Sequence, residues 1–138
     1  MKITDNRFFL ICVILLITSC TSDHIFHPIE LSIVGIDFVE DGKLYLSAKI
    51  PKEGKEFHIT LLGGYASIIR VSEVIVDGEL QNDPSMTAPS LEGDWGYFDQ
   101  KGDTINFFIA SNNNNTKRII EFTIGYGYWV RYLRIIQE

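Results

Sequence analysis

The chain is poor in cysteine. Cys12 and Cys20 stand in the first twenty residues, and none follows. A fold built downstream of residue 20 therefore has no internal disulfide and must rest on its apolar core. Nor is there an apolar run long enough to cross a bilayer as a helix. The longest, "FFLICVILLI" (8–17), has ten residues, about half of the roughly 20 that a membrane helix needs. Basic residues are scarce too, with 12 Lys and Arg against 18 Asp and Glu. Binding of DNA or RNA depends on clustered cations that neutralise phosphates. The one basic grouping, Lys117, Arg118, Arg131 and Arg134, reads as solvated strand positions, so nucleic acid is excluded as a partner. Finally, no G-x-S-x-G, H-E-x-x-H or phosphate-loop pattern occurs, and with it goes the common sequence signal for hydrolase, metalloprotease or nucleotide chemistry.

What is present starts at the N-terminus. Lys2 and Arg7 precede the short apolar block, which is the build of a secretory signal peptide. The block ends on Ile17-Thr18-Ser19-Cys20, which resembles the lipobox of bacterial lipoproteins: an aliphatic residue, two small residues, then the cysteine that is acylated. One acyl chain holds a protein at a membrane only marginally, whereas two or more hold it durably. The expectation is a lipoprotein signal over residues 1–19, a lipidated Cys20 with a tether over 20–28, and a folded domain over 29–138. The membrane is then a partner through the lipid at Cys20. The expected location is the cell envelope, and Thr21 after the cysteine suits sorting to the outer membrane. The net charge of −6 becomes −7 once residues 1–19, with Lys2 and Arg7 against Asp5, are removed.

Beyond the tether the apolar period is two. "KLYLSAKI" (43–50) sets Leu44, Leu46, Ala48 and Ile50 against Lys43, Tyr45, Ser47 and Lys49. "KEFHITLL" (55–62), "TINFFIA" (104–110) and "KRIIEFTI" (117–124) alternate in the same way. Such alternation predicts strands with one buried face. "ELSIVGIDFV" (30–39), "SIIRVSEVIV" (67–76) and "YWVRYLRIIQ" (128–137) read as further strands. Asp41-Gly42, Gly63-Gly64, Asp77-Gly78, Gly102-Asp103 and "GYG" (125–127) punctuate them as turns. Residues 81–94 hold two prolines and few apolar side chains and read as the longest loop. No segment carries a 3.6-residue stripe. About eight short strands predict an all-β protein, an antiparallel immunoglobulin-like sandwich, with a small barrel as the alternative.

Candidate chemistry is thin. His24 and His27 lie three apart in the tether, too few to complete a zinc site that wants three or four ligands. His58 sits on the polar face of its strand between Glu56 and Thr60, without a sequence signal for a nucleophile beside it. Asp94 and Asp99 flank Trp95 and read as turn acids rather than a glycosidase pair. The reading is therefore not an enzyme, with no metal site and no cofactor. The aromatic residues give the positive signal. Trp95, Tyr97, Tyr126, Tyr128 and Trp129 are the candidate ligand-binding residues, because flat rings with polar edges stack on the apolar face of a sugar. Trp95 carries the competing expectation of a core position.

Three stretches, "IPKEGKEFHITL" (50–61), "WGYFDQKGDTINFFIASNNNNTKRIIEFTI" (95–124) and "RYLRIIQ" (131–137), together resemble the BACON domain family. Those are immunoglobulin-like sandwiches common in secreted and lipid-anchored proteins of gut Bacteroidota. The matching positions are Gly54, Trp95, Gly102, Asn112 to Asn115, Arg118 and Gln137. The likeness covers residues 44–138. It departs from the family at 63–94, which is longer than the usual connection, and in lacking a counterpart to one of the family's two tryptophans. The resemblance implies association with carbohydrate. The expectation is thus a non-catalytic binding or adhesion module for glycan, with a structural spacer or subunit of an envelope protein complex as the alternative.

Overall fold

The computed structural model describes residues 26–64, 68–83, 85 and 88–138. The expected signal segment, Cys20 and His24 lie outside the described residues. Among those described no helix forms, and none is long and apolar enough to cross a membrane. In chain order the strands are β1 (His27–Pro28), β2 (Leu31–Val34), β3 (Val39–Glu40), β4 (Tyr45–Ile50), β5 (Lys55–Leu61) and β6 (Arg70–Val76). They continue as β7 (Glu79–Leu80), β8 (Ser90–Gly93), β9 (Gly96–Lys101), β10 (Thr104–Ile109), β11 (Arg118–Tyr126) and β12 (Trp129–Gln137).

These strands form two sheets. One runs β3-β4-β12-β11-β6-β7, with β1 also paired to β12; the other runs β2-β5-β10-β9-β8. The alternation in sequence decides the packing. Leu46, Ala48 and Ile50 of β4, Ile120, Phe122 and Ile124 of β11, and Leu133 and Ile135 of β12 are buried on one sheet. Phe57, Ile59 and Leu61 of β5 and Ile105, Phe107 and Ile109 of β10 are buried on the other. The interdigitated layer is aromatic at its centre. Phe57 stacks on Phe107 with ring centroids 4.7 Å apart, and Phe107 meets Phe122 edge-on at 4.8 Å. Each fully buried ring of this kind stabilises the fold by about 1.5–3 kcal/mol relative to an exposed one. The all-β sandwich expected from the period is the architecture observed.

Three details differ from the expectation. The sheets are not purely antiparallel: β4 runs parallel to β12, with Tyr45 opposite Tyr132, and β1 runs parallel to β12. The reason lies in "ELSIVGIDFV", which is not one strand. It breaks after Val34, so β2 joins one sheet while β3 and β4 cross to the other and enter alongside the last strand. Periodicity reports which face is buried and carries no information about strand direction. The strands also exceed eight, because two-residue pairings such as β3 and β7 leave no periodic trace, and β8 lies inside the expected 81–94 loop. Lastly, the described end of the expected 20–28 tether is docked: the His27 amide donates to the Tyr128 carbonyl at 2.8 Å.

The positions that carry the family resemblance, apart from Gly102 in the β9–β10 turn at the other end, gather at one end of the sandwich. Gln137, fully buried, accepts from Arg118 Nε at 2.9 Å and Nη2 at 2.6 Å, and its own amide donates to the carbonyls of Lys52 and Ala110. Arg118 donates in turn to the Ala110 carbonyl at 2.6 Å. Burial pushes the Arg118 pKa down, and the charge of Asp77 opposes that shift. Gly54, at φ +91°, lies so close to the Ile109 carbonyl that a Cβ would collide with it. Asn112 is buried and holds its own loop, donating to the Thr116 carbonyl at 2.7 Å and accepting from the Asn114 amide. These residues fasten the 51–54 turn and the 110–117 loop across the ends of both sheets.

Candidate ligand-binding groove

The five aromatic residues singled out by sequence fall into three places. Trp95 occupies the two-residue turn between β8 and β9, opposite the Gly93–Gly96 pair, and its indole folds back into the core. It meets Phe122 edge-on at 5.6 Å and is 2% exposed. A ring sealed in this way offers no face to a ligand, so Trp95 is a core residue and not a binding one. Its Nε1 has no hydrogen-bond partner. Tyr97 lies on the outer face of the β2-β5-β10-β9-β8 sheet, 41% exposed and tilted against Phe108 at 5.4 Å. Only Tyr126, Tyr128 and Trp129 come together, at the β11–β12 hairpin.

Around that hairpin lies a groove of about 330 Å³ on the outer face of the other sheet. Its floor follows from one glycine. Gly125 falls on the outward side of β11, after the buried Ile124, and a Cβ there would meet the Trp129 carbonyl oxygen at 2.7 Å. No larger residue fits without displacing the neighbouring strand, and the missing side chain leaves a dent between Tyr126, Tyr132 and Phe26. The rings are held rather than loose. Tyr132 stacks on Tyr45 across the parallel pair, centroids 4.7 Å apart, and Phe26 tilts against Tyr128 at 6.4 Å. Tyr126 is the most open of them at 61%.

The polar wall comes from β6. Opposite Thr123 the ladder between β6 and β11 slips, so that Ser72 and Glu73 share one partner position. A bulge of this type re-aims side chains and leaves backbone groups unpaired. Along the other edge of β6, which faces β7, Asn82 follows Gln81 in the ladder: its Oδ1 accepts from the Val74 amide at 2.8 Å, and its Nδ2 donates to the Ser72 carbonyl at 2.8 Å. Glu73 stands on the groove wall, where Thr123 Oγ1 donates to its Oε2 at 3.2 Å. The groove thus combines ring faces with a carboxylate and two hydroxyls.

Sequence reasoning missed Phe26, Glu73 and Thr123. A glycine inside an otherwise alternating strand was the available signal, since it marks a bulge or a close approach. The remaining sequence candidates do not join the groove. His27 lies against Trp129 at 5.1 Å between ring centroids. On the opposite sheet, His58 Nδ1 is 2.7 Å from Asn106 Oδ1, on an exposed face, and Asp99 pairs with Lys101 at 3.0 Å. Asp94 stands in the same turn as Trp95. Among the described residues no group of three His, Cys, Asp or Glu side chains is placed to hold a metal ion.

No protein-family model matches the chain, and no curated protein matches it. Among solved structures it is similar to a protein from Bacteroides thetaiotaomicron determined by NMR. The TM-score is 0.66 at 17% identity, over 85% of this chain and 92% of the other. At that identity the likeness concerns the fold.

Proposed function

We propose that the protein is a lipid-anchored component of a bacterial envelope whose sandwich is a non-catalytic binding module, with saccharide as its ligand. The lipobox-like Ile17-Thr18-Ser19-Cys20 supports the anchor. The groove supports the ligand class: rings from Tyr126 and Tyr132 beside the Glu73 carboxylate and Thr123 hydroxyl match the apolar face and hydroxyl rim of a sugar. We read the sandwich as immunoglobulin-like. The orders β2-β5-β10-β9 and β4-β12-β11-β6 correspond to the A-B-E-D and A′-G-F-C layers of that fold. The BACON-like positions Gly54, Asn112, Arg118 and Gln137 then serve as its end clamp rather than as ligand contacts.

Glycan arrays and affinity gels with residues 21–138 test this reading. Binding of an oligosaccharide, lost in Tyr126→Ala and weakened in the isosteric Glu73→Gln, is the expected outcome. Silence across plant, host and bacterial glycans contradicts it and leaves the spacer role.

A further inference from the structure

The two ends of the sandwich are chemically unlike. The clamp of Arg118, Gln137 and Asn112 closes one. The other end gathers the start of β12, the end of β11, the start of β4 and the β5–β6 connection, as the pairings Tyr45 with Tyr132, Arg70 with Gly125 and Leu31 with Leu61 require. At that end Phe26, Leu62, Ile68, Tyr126 and Tyr128 are all exposed. Trp129 is half-buried between Pro28 and Leu62 in a second cavity of about 240 Å³. A chain of this size does not expose so many large apolar groups together without a use for them.

The same end is where the N-terminal segment enters. Phe26 is six residues after Cys20, and six residues span at most about 20 Å even when fully extended. An acyl group on Cys20 therefore confines this end, and not the clamped end, to the neighbourhood of the bilayer surface. Tyrosine and tryptophan favour the headgroup level of a membrane, where a ring is half in hydrocarbon and its polar atom stays wet. Charges of both signs border this end, Glu30, Asp41 and Asp103 with Lys43, Arg70, Lys101 and Arg131, so no single-sign patch selects anionic lipid.

We propose that the apolar end formed by Phe26, Leu62, Ile68, Tyr128 and Trp129 rests in the interfacial layer of the lipid bilayer, as a second contact beside the acyl anchor. It fixes the orientation of the domain and turns the Tyr126–Glu73 groove sideways along the membrane surface. The inference rests on the anchored reading for its geometry, but it can be tested apart from it. Cys20 is the only thiol in residues 20–138, so that chain can be coupled to a maleimide headgroup lipid in zwitterionic phosphatidylcholine vesicles, whatever a cell does to Cys20. With bromine placed at shallow acyl positions, tryptophan emission is expected to fall. Trp129→Phe should remove that loss, because Trp95 is sealed in the core. Tyr128→Asp combined with Leu62→Asp, both at exposed sites, should remove it while far-UV and near-UV circular dichroism stay unchanged. Unquenched emission in the coupled wild-type chain overturns the proposal, and so does quenching that survives Trp129→Phe or the double aspartate variant. Absence of acylation in cells, with quenching intact, instead removes the anchored reading alone.

Discussion

At the scale of single residues, burial separates aromatic side chains that sequence places in one class. Trp95 and Tyr126 both belong to a surplus of rings near turns, yet one packs on Phe122 and the other stands open above the groove. Trp95→Ala should cost about 3–5 kcal/mol of unfolding free energy, as large-to-small changes of fully buried rings do. Tyr126→Ala should change stability by no more than about 0.5 kcal/mol, as is usual at a surface site, while lowering saccharide affinity. Urea unfolding of the two variants, read beside binding, checks both. Sequence carried the distinction only partly. A tryptophan after a glycine turn signals neither direction, since the fold of the β8–β9 turn decides which way the indole swings.

At the scale of elements, alternation made the long strands legible. β4, β5, β10 and β11 lie where period-two runs place them, because each buries one face on the shared aromatic layer. The turns Asp77-Gly78 and Gly102-Asp103 also fall between paired strands. The bulge in β6 leaves a trace in the sequence: in "RVSEVIV" the buried Val71 and Val74 stand three apart, with Ser72 and Glu73 between them, a one-residue break in the period that the register against Thr123 and Ile124 explains. Asn82 braces the same stretch of β6 from its β7 edge. Asn82→Ala leaves the Val74 amide and the Ser72 carbonyl without their partner, an expected cost of about 1–3 kcal/mol for buried polar groups. Hydrogen exchange should then quicken first at Val74, and binding that depends on Glu73 should weaken even where the fold persists. Exchange at Val74 unchanged in the variant would mean that Asn82 does not hold this edge of β6.

At the scale of the whole molecule, the sandwich, its groove and its apolar end acquire a common logic from the point where the chain enters. The parallel pairing of β1 with β12 brings the N-terminal segment to the β11–β12 hairpin, so the aromatic end and the expected anchor share one side of the domain. Sequence alone supplied the two ingredients, a lipobox-like cysteine and a cluster of rings near the C-terminus, over a hundred residues apart. Their adjacency was invisible to it, because it depends on a parallel pairing that no local pattern encodes. The central claim is the attachment at Cys20, and metabolic labelling tests it most directly. Cells expressing the full chain are fed an alkyne-tagged fatty acid, and the protein is isolated and probed for the tag beside a Cys20→Ser variant. The account predicts label on the wild-type chain and none on the variant. An unlabelled wild-type chain, or equal label on both, would contradict it.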